Sequence, residues 1–269
     1  MRVSTWNVNS IRQRRTQFVD WLDLRRPDVV CLQETKVSDT DFANLLDVDL
    51  SERGYGYSHT GEGGRNGVAL LSRVGLDDVA SGLAGSQGRA VMATCAGVSF
   101  HSLYVPSGPG DASPKHRYRL EWLAALCELV ATGPDTVVLA GNLNVSPSLL
   151  DVYGPEAFEV GVAATEEEAA VALRLTSLGL HDVVRQRWPD ERVFTYWDYR
   201  AGMFHKNLGV RYDIILSGAP VAQRVCAAWV DRGARKGSRP SDHAPVLMDL
   251  DVAPDGDLGP MVPPPSGAR

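Results

Sequence analysis

The sequence predicts an α/β protein in which two strand–helix–strand halves face each other with their helices outside. Two short apolar runs carry this reading: Asp28-Val-Val-Cys-Leu-Gln-Glu34 and Thr136-Val-Val-Leu-Ala-Gly-Asn142-Leu-Asn144. Both open β-branched, follow a turn proline (Pro27, Pro134) and end in a polar cluster, the pattern of buried strands. Each also follows an amphipathic helical stretch, Arg14 to Arg25 with Phe18, Val19, Trp21 and Leu22, and Arg119 to Ala131 with Leu120, Leu123, Leu126 and Val130. The 269 residues, 44% apolar and 22% charged, can bury one large core, and no hinge divides them.

Taken in order, MRVSTWNVNSIRQ has no apolar leader segment and reads as folded domain from the start. Segments 67–72, 90–96 and 98–105 alternate as strands of a mixed sheet. Leu173 to Leu178 closes another helical stretch, and Arg211 to Ser217 and Ala244 to Leu250 read as further buried strands. After Val252 the composition turns to DGDLGPMVPPPSGAR. The expected organisation is one domain over 1–252 and a disordered Pro/Gly-rich tail over 253–269. No run of 18 apolar residues occurs, so no membrane span is expected. Cys31, Cys95, Cys127 and Cys226 are scattered without a CxxC pair, which disfavours both a zinc site and a disulfide framework and suits a reducing cytoplasm.

The formal charge of −6 argues against a protein that coats nucleic acid, but its distribution is uneven. Arg200 to Arg239 holds eight Lys/Arg against Asp213 and Asp231, and Lys115-His116-Arg117-Tyr118-Arg119 is a second basic cluster. One face meant for polyanions is the reading; solvated loop charge is its competitor.

Polar side chains recur where the strands end: Asn7 and Asn9, Glu34, Tyr104, Asn142 and Asn144, Asp213, and Ser241-Asp242-His243. An Asn at a turn is ordinarily a cap or Asx turn, and it is the recurrence that points to a site. Glu34 with Asn9 or Asp242 offers oxygen ligands suited to magnesium or manganese. Asn7 and Asn144 can donate to phosphoryl oxygens, and an Asp beside a His fixes an imidazole tautomer. This set suits phosphodiester hydrolysis better than acyl transfer, for which a GxSxG elbow is missing.

These residues give the chain a family likeness. WNVNSIR (6–12), LQETK (32–36), LYVPSG (103–108), GNLNVSP (141–147), FTYWDYRAGMFHKNLGVRYDIIL (194–216) and SDHAPV (241–246) resemble, in order, bacterial exonuclease III and the apurinic/apyrimidinic endonucleases of the endonuclease/exonuclease/phosphatase superfamily. The resemblance implies a DNase I-like four-layered α/β sandwich, two mixed sheets flanked by helices. It implies a monomeric, cytoplasmic, nucleoid-associated repair nuclease for double-stranded DNA with abasic sites or 3′ ends, using Mg2+ or Mn2+. Glu34 is then the main metal ligand, with Asn9 and Asp242 beside it. Tyr104 contacts the scissile phosphate or aids the leaving group, Asn144 orients phosphate or water, and Asp213 orients His243. Tyr196 and Trp197 wall the pocket for the abasic sugar. Asn7, Ser107, Lys115, Arg117, Arg200, Lys206 and Arg211 contact phosphate and DNA.

Four positions depart from the family pattern. Asn142 stands where the family has the Asp thought to position or activate water, Leu143 replaces Phe, Ser107 replaces the common Asn, and Tyr212 precedes Asp213 in place of the usual Ile or Leu. An amide is no base. An engineered trap, natural divergence, and a reaction still run by His243 with the cation are the three explanations; the accompanying departures favour divergence. Beside an attenuated nuclease stand a weakly catalytic protein that binds abasic or nicked DNA and a small-molecule phosphoesterase.

Overall fold

The run Arg2–Asn7 forms strand β1, buried from Val3 onward. The computed structural model describes residues 1–106, 113–146, 148–154, 166–252 and 259–262. After β1 the chain makes helix α1 (Ile11–Arg25) and returns as β2 (Val29–Gln33), parallel to β1. α1 stops where Arg26 turns left-handed (φ 48°) and its N–H bonds the carbonyl of Leu22, with Pro27 preventing another turn. The same unit recurs as β7 (Val98–Tyr104), α3 (Pro114–Thr132) and β8 (Val137–Asn142), again parallel. Ser113 caps α3 by accepting from the His116 N–H, with Pro114 in the first turn.

These units sit in two sheets. The first runs β13 (Met261–Val262), β11 (Val225–Asp231), β12 (Val246–Leu250), β1, β2, β4 (Val68–Ser72), β3 (Gly56–Thr60). The second runs β5 (Asp77–Leu83), β6 (Ser86–Cys95), β7, β8, β10 (Asp213–Gly218), β9 (Leu180–Asp182). Between them lies an apolar layer of Val3, Cys31, Leu70 and Val246 against Val91, Phe100, Val138 and Ile215. α1 and α2 (Asp39–Glu52) cover the first sheet through Phe18, Trp21, Phe42 and Leu46, which pack on Trp6, Leu32 and Trp229. α3 and α4 (Glu166–Ser177) cover the second through Trp122, Leu126 and Leu175 on Leu103, Leu139 and Leu216. Helix, sheet, sheet and helix thus stack as the sequence predicts. Cys31, Cys95 and Cys127 are buried thiols and Cys226 is exposed. No helix among the described residues is long and apolar enough to cross a membrane.

The tail departs from expectation. Met261–Val262 pair in parallel with Val230 and Asp231 of β11, and Met261 joins the central core. Two residues flanked by prolines carry no periodicity, so only packing reveals the strand. Residues 253–258 and 263–269 lie outside the described residues.

Candidate active site

The C-terminal ends of β1, β2, β7 and β8 and the starts of β10 and β12 fall on one edge. β10 runs antiparallel to β8 with Asp213 opposite Asn142, and β12 antiparallel to β1. Gln33 bridges the sheets there, donating from Nε2 to Ser102 Oγ at 3.2 Å.

Three turns at this edge are built alike. The N–H of Asn9 donates to Asn7 Oδ1 (3.0 Å), that of Asn144 to Asn142 Oδ1 (2.9 Å), and that of His243 to Ser241 Oγ (3.2 Å). An Asx or Ser turn of this kind lets the residue two on leave the strand direction, and Asn9 and Asn144 take left-handed φ values of 44° and 52°. The Ser241 hydroxyl then donates to the carbonyl of Asn7 at 2.7 Å and ties two of the turns together.

A charged chain runs across the first sheet. Asn7 Nδ2 donates to Glu34 Oε1 at 2.8 Å, and the Lys36 ammonium lies 2.8 Å from Glu34 Oε2. Lys36 also donates to Asn9 Oδ1 at 2.5 Å, and Asn9 Nδ2 donates to Asp242 Oδ1 at 2.9 Å. Burial would raise the Glu34 pKa, but hydrogen bonds from Asn7 and Lys36 and the charges of Lys36 and His243 outweigh it, holding the carboxyl below its usual range and ionised. Across the two sheets, His243 just ahead of β12 places its Nδ1 2.6 Å from Oδ2 of Asp213 at the start of β10, with both side chains buried. Burial disfavours the imidazolium, but the Asp213 carboxylate beside it raises the His243 pKa overall. The Tyr196 ring leans on that imidazole at 4.9 Å. Tyr104 is nearly buried at the end of β7, with the Arg89 guanidinium 4.9 Å from its ring centre.

Glu34 Oε2 and Asn9 Oδ1 already share one cation, the Lys36 ammonium. They are hard oxygen donors without thiolate or imidazole, which fits a hard divalent cation. Among the described residues no group of three or more His, Cys, Asp or Glu could hold a metal.

The structure brings Asn7, Asn9, Glu34, Asp242 and His243 together, with Tyr104, Asn142, Asn144, Asp213 and Tyr196 around them. Lys115, Arg117, Arg200 and Lys206 are exposed basic side chains, Arg200 held by Asp198 through two bonds of 2.7–2.9 Å. Ser107 lies outside the described residues.

Two expectations are corrected. Trp197 has no exposed surface and packs in the central core, so it cannot line an open pocket. Gly209 leaves room for it: a Cβ there would lie 2.5 Å from Trp197 Nε1. Arg211 is 2% exposed, with Nε on Asp151 and Nη1 on Asp182 at 2.7 Å each. It therefore serves an internal ion network and not DNA. The Arg200–Arg239 charge is partly internal too, since Arg232 and Arg235 are buried with their guanidiniums 4.1 and 4.6 Å from the Phe204 ring centre.

The sequence reading gives no site role to Lys36 or Arg89 and counts Arg119 only as part of the 115–119 basic cluster. Lys36 stands inside the LQETK motif, which is the signal that could have found it. Arg119 points inward from α3 and donates to the Asn144 carbonyl, and nothing distinguishes it in sequence from its exposed neighbour Arg117.

Residues 4–243 match the Endonuclease/Exonuclease/phosphatase family. Exodeoxyribonuclease III of Haemophilus influenzae is 30% identical over 270 residues, covering 93% of this chain and all of that protein. An AP endonuclease from Archaeoglobus fulgidus superposes with a TM-score of 0.88 at 36% identity, covering 94% of this chain and 100% of that one. A 3′ phosphatase from Neisseria, solved as an Asp-to-Asn variant bound to product DNA hairpin, gives the same TM-score, identity and coverage.

Proposed function

The chain belongs to the endonuclease/exonuclease/phosphatase family, and from that membership we propose that it hydrolyses phosphodiester bonds of duplex DNA as an exodeoxyribonuclease III-type enzyme. Its substrates in this reading are abasic sites and 3′ ends. The convergence of the Asp213–His243 pair with Glu34 and the amide cluster on one sheet edge is the observation that carries it.

Nucleases of this family depend on a divalent cation. Here Glu34, with Asn9 and Asp242, would hold Mg2+ or Mn2+. The cation supplies positive charge where negative charge builds on the scissile phosphate. Asn7 keeps Glu34 oriented and ionised, and Lys36 adds a second positive charge beside it. Asp213 accepts a hydrogen bond from the Nδ1–H of His243, which leaves Nε2 as the nitrogen that gives or takes a proton. Tyr104 and Asn144 offer a hydroxyl and an amide toward phosphoryl oxygens. Tyr196, leaning on His243, offers an apolar wall beside the reacting group. The exposed Lys115, Arg117, Arg200 and Lys206 supply charge for the phosphate backbone.

Asn142 is the reason to expect slow turnover. Its amide accepts the Asn144 N–H as a carboxylate would, so the turn survives, but it can take no proton. A missing general base costs roughly 10²–10⁴ in rate. The decisive experiment is single-turnover cleavage of a duplex with one abasic analogue, with and without Mg2+ or Mn2+, by native protein and Asn142→Asp. We expect both to bind and the revertant to cut about 10²–10⁴-fold faster. Native cleavage within tenfold of the revertant would mean that His243 carries the water without help from position 142. Binding with cleavage by the revertant alone would make recognition of damaged DNA the native role. Neither binding nor cutting by either protein would end the DNA reading.

A further inference from the structure

Thr35 lies between the two site residues whose backbone is least comfortable. Glu34 and Lys36 have φ values of 51° and 56°, a region that side chains disfavour and that persists only where the surroundings over-determine it. Backbone bonds supply part of the constraint: the Thr35 N–H to the Gly67 carbonyl (3.1 Å), the Lys36 N–H to the Asn66 carbonyl (2.9 Å), and the Gly64 N–H to the Lys36 carbonyl (3.1 Å).

The rest comes from a side-chain relay. Thr35 Oγ1 lies 2.8 Å from His59 Nε2, and His59 Nδ1 lies 2.7 Å from Asp39 Oδ1. Asp39 Oδ1 also accepts the Gly61 N–H at 2.9 Å. The imidazole is enclosed: it stacks on Phe42 at 4.3 Å and 17°, and its side chain is 2% exposed. Burial holds the ring below the ordinary histidine range, outweighing the raising pull of Asp39. In the neutral ring the Nδ1–H donates to Asp39, so Nε2 accepts from the Thr35 hydroxyl and fixes its direction. Gly67 also crowds the hydroxyl, because a Cβ there (φ 89°) would lie 2.1 Å from Thr35 Oγ1. The order carboxylate, imidazole, hydroxyl is that of a nucleophile triad, but Thr35 is fully buried and no substrate reaches it.

We propose that Asp39, His59 and Thr35 form a positioning assembly that locks the Glu34–Lys36 turn in its left-handed form and thereby sets the affinity of the site for its divalent cation. The second half rests on the reading of Glu34 as the cation's ligand. The assembly works through the backbone: the hydroxyl pins the middle of the turn, and the carboxylate on one side and the ammonium on the other inherit their directions from it.

The test compares Thr35→Val, which removes the hydroxyl and keeps the shape, with Thr35→Ser, which keeps the hydroxyl. Two readouts are taken on folded protein without DNA: Mg2+ and Mn2+ binding by titration calorimetry, and hydrogen exchange of the Thr35, Lys36 and Gly64 amides. Supporting groups around a metal site typically change affinity 10–100-fold. Thr35→Val is expected to weaken binding roughly tenfold, at the low end of that range, and to quicken all three amides, while Thr35→Ser stays near native. Should Thr35→Val fail to fold, Asp39→Asn on an exposed carboxylate gives the same comparison with a smaller loss. Native affinity or native exchange in Thr35→Val, or a Thr35→Ser as weak as Thr35→Val, overturns the proposal. Cation binding that Glu34→Gln abolishes but Thr35→Val leaves intact overturns it alone. Native cation binding indifferent to Glu34→Gln overturns the reading of Glu34 and the affinity claim together, while the exchange data still separate a brace from no brace.

Discussion

Asn7, Asn142 and Ser241 each use a side-chain oxygen to hold the N–H two residues ahead, and that single job explains what position 142 tolerates. The turn needs an acceptor, which an amide and a carboxylate supply equally, whereas proton transfer needs a base, which only the carboxylate supplies. Structure and chemistry therefore come apart at one residue. His101 on β7 makes a different residue-level point. It is 5% exposed, its Nδ1 has no hydrogen-bond partner among the described residues, and burial pushes its pKa down to about 4. In the unfolded chain the ring takes its proton below about 6.5. Between those values only the unfolded chain binds the proton, so stability is full above pH 6.5 and falls as pH drops toward 4. The loss is about 3 kcal/mol. Urea unfolding at pH 7 and pH 4 should show His101→Leu losing about 3 kcal/mol less than native over that span. An equal loss in both proteins would mean the ring is solvated enough to protonate in the fold.

Elements reach the site through brackets that sequence leaves anonymous. Just ahead of β10, Arg211 binds Asp151 and Asp182, and Arg185 of α5 (Val183–Arg187) also binds Asp151 at 2.8 Å. Asp151 is wholly buried, and its carbonyl accepts the Arg211 N–H. The network thus fixes the chain two residues before Asp213. Removing one partner of a buried ion pair costs about 3–5 kcal/mol. Arg211→Ala should lower stability by about that amount in a denaturant titration, with little change in the salt dependence of duplex binding by the folded fraction. An unchanged midpoint with weaker binding would return Arg211 to the DNA surface. The same basic residue type means opposite things at Arg117 and Arg119, on one helix two positions apart, because one faces solvent and the other the Asn144 carbonyl. Helix α2 escaped the sequence reading for a related reason. Its fully buried face is Phe42, Leu46 and Leu50, with Leu45 partly buried beside them, in a stretch rich in Asp, and α2 becomes a helix element by covering a sheet.

At the scale of the molecule, the tail shows how far one buried side chain reaches. Met261 is 4% exposed in the inter-sheet core, and the Val230 N–H donates to the Pro260 carbonyl. Burying such a side chain is worth about 1.5–3 kcal/mol. A chain ending at Val252 should therefore unfold about 2 kcal/mol more easily than the full chain in urea, and identical midpoints would mean the pairing adds nothing. The four layers, the two parallel strand–helix–strand units and the strand-end amides and carboxylates were all legible in the sequence, because local periodicity and turn chemistry write them into contiguous residues. Motif order was enough to point to the family. What tertiary structure alone decided is which charges and aromatics are inside: Trp197 and Arg211 buried, Lys36 clasped by Glu34 and Asn9, Thr35 pinned by a histidine 24 residues away. Burial and pairing are set by contacts between segments far apart in the chain, and no local pattern encodes which partner a side chain will meet.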